Sequence, residues 1–170
     1  RDYRDEMVQS AKQLEAIEKK ALFAMSRSEN VGQVYAQLGF GTWENLPGTL
    51  SEVTAIKKIV SYSEVYTGND VDETFVKRLS ESGQLKEYEV IHFAAHGLTV
   101  PEIPEMSALV LSHAGTEIGR QKDDGYLRMQ EIAELEMQAD FVNLSACNTG
   151  LGKIYSGEGV VGLTQSFLTA

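Results

Sequence analysis

The sequence has little of several features that would assign it to particular classes of protein. A single cysteine among 170 residues excludes an internal disulfide and suits a reducing compartment. Positive charge is scarce, since 15 lysines and arginines stand against 25 aspartates and glutamates, and the formal net charge is −10. This charge opposes nonspecific binding to nucleic acid and to anionic membranes, because both would repel the chain at long range.

Long apolar runs are missing as well. No run approaches the roughly 20 residues needed to span a bilayer, and residues 1–20 lack the hydrophobic region of a signal peptide. No group of histidine, cysteine and carboxylate residues has metal-ligand spacing. These absences predict a cytoplasmic protein with no membrane partner, no metal and no other cofactor.

The residues that are present have an ordinary globular balance, with 42% hydrophobic and 24% charged, and the chain is long enough for one domain with a sizeable core. It starts inside a charged helical pattern and ends inside the apolar pattern "VVGLTQSFLTA". We therefore expect both ends to continue in a longer protein.

Hydrophobic periodicity and turn residues divide the chain into alternating helices and strands. Helices are predicted at residues 2–19, 50–61, 69–83, 127–137 and 159–168. Strands are predicted at residues 21–25, 64–67, 88–97, 107–112 and 140–146. Asp70 and Ser156 are candidate N-caps. The alternation indicates an α/β sandwich with a largely parallel central sheet.

Two of the predicted strands end in residues that are capable of catalysis. One ends at His96-Gly97 and the other at Cys147, 51 residues later. Ligands of open α/β sheets bind beyond the carboxyl ends of the strands, so neighbouring strands would place the thiol and the imidazole over one crevice. A thiolate can attack a carbonyl carbon, and an imidazole can protonate the leaving amine. The amides of Gly97 and Cys147 could then form an oxyanion hole.

Structural explanations compete with this hypothesis. A lone cysteine at a strand end is more often a small core residue. His92 shares a strand face with His96 and fits a hydrogen-bonded core histidine, whereas His113 borders a loop and fits a surface position. Asn143 would need hydrogen-bond partners if it is buried. The glycines of "TGLGKIYSGEG" match neither GxGxxG nor GxxxxGK[ST], which argues against a nucleotide site.

Five segments occur in an order that resembles the CHAT domain, a caspase-like peptidase domain often found with TPR repeats. They are "LPGTLSEV", "VIHFAAHG", "SALVLS", "DGYLRMQEIAEL" and "NLSACNTGLGKIYSGEGVVGLTQSFLTA". The resemblance covers residues 21–170, and residues 1–20 would be a helix or linker leading from a TPR region. It implies a caspase-like three-layer α/β/α sandwich with a mostly parallel central sheet, whose C-terminal part is missing from this sequence.

The resemblance also implies roles for particular residues. His96 matches the catalytic histidine, Cys147 the nucleophile and Gly97 the glycine after that histidine. It suggests Ser145 and Asn148 for the substrate pocket, and His92 and Glu158 for support around the dyad. In the related arginine- and lysine-specific metacaspases, an aspartate two residues before the nucleophile binds the basic P1 side chain. Ser145 is neutral, so here a basic P1 residue would need its carboxylate from elsewhere.

The function that follows is a cysteine endopeptidase domain acting on a protein substrate. Domains of this kind resemble regulated proteases that a TPR region or an effector subunit switches on, some of them in prokaryotic defence, including assemblies controlled by a CRISPR effector. A non-catalytic caspase-like scaffold for protein–protein interaction is the alternative. A flavodoxin-like ligand-binding domain is a third, by fold analogy alone.

Overall fold

The computed structural model describes residues 3–27, 31–101, 103–114, 123–148 and 158–170. For residues 3–6, 26–27, 147–148 and 158–161 the description covers the backbone alone.

The described residues form six α-helices and four strands. The helices are α1 (Tyr3–Arg27), α2 (Val31–Gln37), α3 (Pro47–Ile59), α4 (Glu73–Glu81), α5 (Met129–Ala133) and α6 (Glu158–Thr169). The strands are β1 (Val90–Leu98), β2 (Ala108–Val110), β3 (Tyr126–Arg128) and β4 (Phe141–Asn148). Short 3₁₀ turns lie at Gly68–Asp70, Gln84–Glu87 and Pro104–Met106.

The four described strands make one sheet in the order β3-β2-β1-β4. β1 and β4 are parallel, whereas β1 with β2 and β2 with β3 are antiparallel. The expected α/β class is confirmed, but the expectation of a mostly parallel sheet is corrected for the described strands. Only nine residues separate β1 from β2, too few for the helical crossover that a parallel pair requires.

Helices cover both faces of this sheet, which gives the three layers expected for a caspase-like fold. One face packs α1 and α2 against alternate strand residues such as Leu98, Val110 and Tyr126. The other face packs α4, α5 and α6 against residues such as Leu109 and Leu144. Because strand side chains alternate between faces, each strand contributes to both apolar clusters. His96 lies on the face shared with Leu98, since the two positions differ by two.

The N-terminal helix confirms one prediction and corrects another. Residues 2–19 were expected to be helical and residues 21–25 to form a strand, but α1 continues unbroken to Arg27. Ala21 and Ala24 are buried, and Ile17 packs against the same cluster. These three positions are spaced by four and three residues, so the helical period runs through the apolar segment. Alanine, leucine and methionine are also strong helix formers.

Three further predictions are corrected locally. Residues 64–67 form no strand, and residues 126–128 are a strand at the start of the segment predicted to be helical. The N-cap of α4 is Asp72 rather than Asp70, because the Asp72 carboxylate accepts the Phe75 N–H at 2.8 Å. Gly83 does end this helix region in the left-handed conformation expected of a glycine, at φ 78°.

A buried ion network connects α4 to the start of β3 and to α5. Glu73 is 1% exposed, and its carboxylate accepts hydrogen bonds from Lys77 Nζ at 2.5 Å and from the Gly125 N–H at 2.9 Å. Lys77 also contacts Asp123 at 2.9 Å and Glu131 at 2.8 Å. Burial, reinforced by repulsion from Glu131, raises the pKa of Glu73 to about 8.

The raised pKa of Glu73 predicts a stability that falls as pH rises. An unfolded glutamate loses its proton near pH 4.5, so between about pH 5 and 8 the folded chain binds more protons than the unfolded chain. We expect the free energy of unfolding to fall across this window by about 1–3 kcal/mol more in the wild type than in Glu73→Gln. Urea denaturation at several pH values measures it, with the exposed Glu81→Gln as control. Parallel pH profiles of wild type and Glu73→Gln would contradict the assignment.

Candidate active site

The parallel pair β1 and β4 brings the two predicted catalytic positions together. Its register pairs His92 with Asn143, His96 with Cys147 and Gly97 with Asn148. Each residue of β1 pairs with the residue of β4 that lies 51 positions later in the sequence. This is the spacing between His96 and Cys147 in the sequence. Neighbouring strands lie about 4.8 Å apart. Position 147 is therefore the immediate neighbour of His96 on the same face of the sheet.

Among the described residues, the imidazole of His96 has a hydrogen-bond partner on one side. Its Nε2 lies 2.7 Å from the backbone oxygen of Glu44. A carbonyl oxygen can only accept, so Nε2 carries a hydrogen, and in the neutral imidazole the lone pair is then on Nδ1. Nδ1 is buried and has no hydrogen-bond partner among the described residues. In the neutral ring, Nδ1 is therefore the nitrogen that is able to accept a proton.

The Glu44 carbonyl is positioned by an aromatic cluster. The Trp43 ring lies 5.1 Å from the His96 ring, centroid to centroid, and its Nε1–H donates to the Tyr126 hydroxyl at 3.0 Å. The Tyr126 hydroxyl in turn donates to the Phe40 carbonyl at 2.9 Å. Tyr126 is fully buried and stacks on Tyr35 at 3.8 Å. The segment 40–44 is thereby fixed against the sheet at two points.

α3 adds a carboxylate to the same face. The helix begins at Pro47, which suits a first helical position because its missing N–H needs no partner there. Its half-buried residues are Thr49, Glu52, Val53 and Ile56. Their spacing of three and four residues turns Glu52 towards the strands.

Glu52 joins a polar chain beside the dyad positions. Its Oε2 accepts the Ser145 hydroxyl at 3.0 Å, and its Oε1 lies 3.1 Å from His92 Nε2, at an angle outside hydrogen-bond geometry. On its other side, His92 Nδ1 lies 2.7 Å from the Asn143 amide nitrogen. Because that amide nitrogen donates, His92 keeps its own hydrogen on Nε2, towards the carboxylate. Asn143 thus has the partner that its burial requires.

The family model for the CHAT domain matches residues 2–170. The chain belongs to the CHAT family. A CHAT domain is a caspase-like domain related to the cysteine peptidases, so the resemblance identified in the sequence is confirmed. No curated protein and no solved structure shows a significant match to the chain.

The structure describes the other predicted site residues of this CHAT domain to different extents. Gly97 is buried in β1, directly after His96, and Ser145 is half-buried beside Glu52. The backbone of Asn148 ends β4, and that of Glu158 begins α6. The side chains of Cys147, Asn148 and Glu158, and the whole of the candidate cap Ser156, lie outside the described residues. The roles suggested for all of these residues remain predictions.

Sequence analysis missed three contributors to this CHAT site. Trp43 and Glu44 lie in a turn-rich segment, and Glu44 contributes through its backbone oxygen, for which its side chain gives no signal. Glu52 could have been found, because it lies three residues after Thr49 and four before Ile56 on the helix face towards the sheet.

One cavity among the described residues lies on the opposite face of the CHAT sheet. Its volume is about 460 Å³, and Leu144, Leu163 and Phe167 line it between β4 and α6. Side chains of β4 alternate in direction, so this cavity is separate from the face of Ser145 and position 147. We therefore assign the candidate site to the His96 face because of the polar side chains that meet there, and not to this cavity.

None of the described helices is both long enough and apolar enough to cross a membrane. No group of three or more histidine, cysteine and acidic side chains among the described residues is arranged to hold a metal ion.

Proposed function

We propose that this CHAT domain is a cysteine endopeptidase in which Cys147 is the nucleophile and His96 the general acid and base. One observation supports the proposal above all others. A buried imidazole nitrogen with a lone pair, His96 Nδ1, has no partner among the described residues and lies beside the position of the only cysteine. Buried polar atoms without a partner are rare in folded proteins, and each calls for an explanation. A proton taken from a thiol is such an explanation.

In the proposed first step, Nδ1 removes the proton of Cys147, and the thiolate attacks the carbonyl carbon of the scissile peptide bond. The resulting imidazolium is stabilised because Nε2–H already donates to the Glu44 carbonyl. The negative charge develops on the carbonyl oxygen, where the amides of Gly97 and Cys147 would donate to it. Collapse of the intermediate breaks the C–N bond, and Nδ1–H protonates the departing amine.

In the second step, a water molecule attacks the thioester while Nδ1 accepts a proton from it. Breakdown of this intermediate releases the carboxylic acid product, and Nδ1–H returns its proton to the sulfur. One water is consumed for each peptide bond broken. Further, a regulatory TPR region or effector subunit would control access of a protein substrate to the dyad, as the resemblance implies.

The single cysteine makes the proposal testable, because iodoacetamide then labels one defined sulfur. An unperturbed thiol has a pKa near ~8.5 and alkylates slowly below neutral pH. We expect Cys147 to alkylate at pH ~6 at least about tenfold faster than a free cysteine peptide. Mass spectrometry after timed quenching gives the rate, and Cys147→Ala should remove all labelling.

The test needs a second arm, since an unactivated peptidase can look inert. The same rates are measured on the full-length protein together with the partners that co-purify with it. Alkylation no faster than that of the free peptide in both arms, with cleavage of co-purifying proteins unchanged in Cys147→Ala, would leave the non-catalytic scaffold as the better explanation.

A further inference from the structure

The Glu52 carboxylate lies on the same sheet face as position 147. It is nearer to the amino end of β4 than that position. It accepts the hydroxyl of Ser145, which precedes Cys147 by two residues on β4. Two residues along a strand correspond to roughly 6.6 Å. The Glu52 side chain is 35% exposed, so one side of it is accessible from solvent. A ligand held at position 147 could therefore reach this carboxylate with a side chain of moderate length.

The charge on Glu52 is only weakly balanced. Its partners among the described residues are the neutral Ser145 hydroxyl and the His92 imidazole, and no described lysine or arginine forms an ion pair with it. Withdrawing a carboxylate partly from water without a permanent cation costs free energy that a cationic ligand can recover. The overall net charge of −10 acts in the same direction by attracting basic ligands.

The dimensions fit the residue on the amino side of the scissile bond. Its carbonyl carbon must lie at position 147 for attack, while its own side chain points away from the bond that breaks. A lysine or arginine projects its charge on a stem of three or four carbons, which suits a partner about two strand residues away. A neutral side chain of the same length would leave the carboxylate uncompensated.

We propose that Glu52 is a specificity-determining residue that binds a basic P1 side chain, so that the substrate is cleaved after lysine or arginine. The inference rests on the proposed peptidase function and adds its substrate class. Ser145 orients the carboxylate through its hydrogen bond. Ser145 itself is neutral, and Glu52 supplies the negative charge from α3 instead. His92 Nε2 lies 3.1 Å from the other carboxylate oxygen, between β1 and α3.

Two matched covalent probes test the proposal. They are peptidyl acyloxymethyl ketones that differ only at P1, one with lysine and one with norleucine, an uncharged residue with a four-carbon chain. We expect the wild-type protein to react at Cys147 about 10–100-fold faster with the lysine probe. In Glu52→Gln, which keeps an acceptor for Ser145, the two rates should become equal through loss of the lysine rate alone. Glu81→Gln, which removes the same charge from an exposed position on α4, should keep the wild-type ratio.

Each outcome has a separate meaning. If wild type and Glu52→Gln show the same lysine-to-norleucine ratio, Glu52 has no part in P1 selection, although labelling by the norleucine probe still supports the peptidase. A merely structural role of Glu52 would slow both probes equally and would also overturn the inference. Both probes are also applied to the full-length protein together with its co-purifying partners. If neither probe labels Cys147 in either arm while iodoacetamide does, the peptidase function fails, and the inference falls with it.

Discussion

Replacement of His96 by alanine is expected to lower the rate of peptide-bond cleavage by about 10²–10⁴-fold. The loss is chemical, because the variant has no group at the Nδ1 position to take the proton of Cys147 or return it to the leaving amine. The same loss should appear in the reaction of Cys147 with the P1-lysine ketone. It should also appear in iodoacetamide labelling, whose pH midpoint should move towards the ~8.5 of an ordinary thiol.

A second substitution separates chemistry from packing. Gln at position 96 can still donate to the Glu44 carbonyl through its amide, yet it cannot accept a proton near neutral pH. We expect His96→Gln to keep the wild-type urea midpoint and to be as inactive as His96→Ala. His113→Asn is the matched control, since it removes an imidazole from a position at φ 66°, which asparagine tolerates. Cleavage retained in His96→Gln would remove His96 from the mechanism.

The strands that build the site were the most predictable part of the fold. The apolar runs at residues 88–97 and 140–146 correspond to β1 and β4, because strands buried on both faces have a continuous hydrophobic pattern. Their parallel register could be anticipated from chemistry, since the 51-residue spacing that pairs His96 with Cys147 also pairs His92 with Asn143. Few other registers of these two strands would bring both pairs of polar residues together.

The direction of the remaining strands was predictable in principle but was assigned wrongly. Alternation of helices and strands favoured parallel pairs, yet the connection from β1 to β2 is short, and the helix in its described part is the 3₁₀ turn Pro104–Met106. Such a connection excludes a right-handed helical crossover. β3 could not be found at all, because three residues are too few to show an alternating pattern.

Within the site, side chains were predictable and backbone contributions were not. A histidine before a glycine at a strand end has a chemical signature, whereas any residue at position 44 would present the same carbonyl oxygen to His96. That oxygen selects the tautomer of the neutral imidazole. The proposed acid–base function of His96 therefore depends on where the segment 40–44 lies. This position is set by tertiary contacts made far along the chain, between Trp43 and Tyr126, which are 83 residues apart.

The dependence on that segment makes Tyr126→Phe the second informative substitution. The change keeps the ring that stacks on Tyr35 and removes only the hydroxyl that accepts from Trp43 and donates to the Phe40 carbonyl. We expect the reaction of Cys147 with the P1-lysine ketone to slow about 10–100-fold, because the Glu44 carbonyl no longer holds His96 in one tautomer and orientation. The stability cost should be about 1–2 kcal/mol.

The control for this prediction is the neighbouring tyrosine. Tyr35→Phe also loses a buried hydroxyl hydrogen bond, the one to the Met106 carbonyl at 2.8 Å, and should cost similar stability without slowing the reaction. A double-mutant cycle supplies the decisive comparison: Trp43→Phe removes the donor of the same hydrogen bond, so its effect on rate should add little to that of Tyr126→Phe. If Tyr35→Phe slows the reaction as much as Tyr126→Phe, or if the Trp43 and Tyr126 effects are fully additive, the hydroxyl does not position His96 through Trp43.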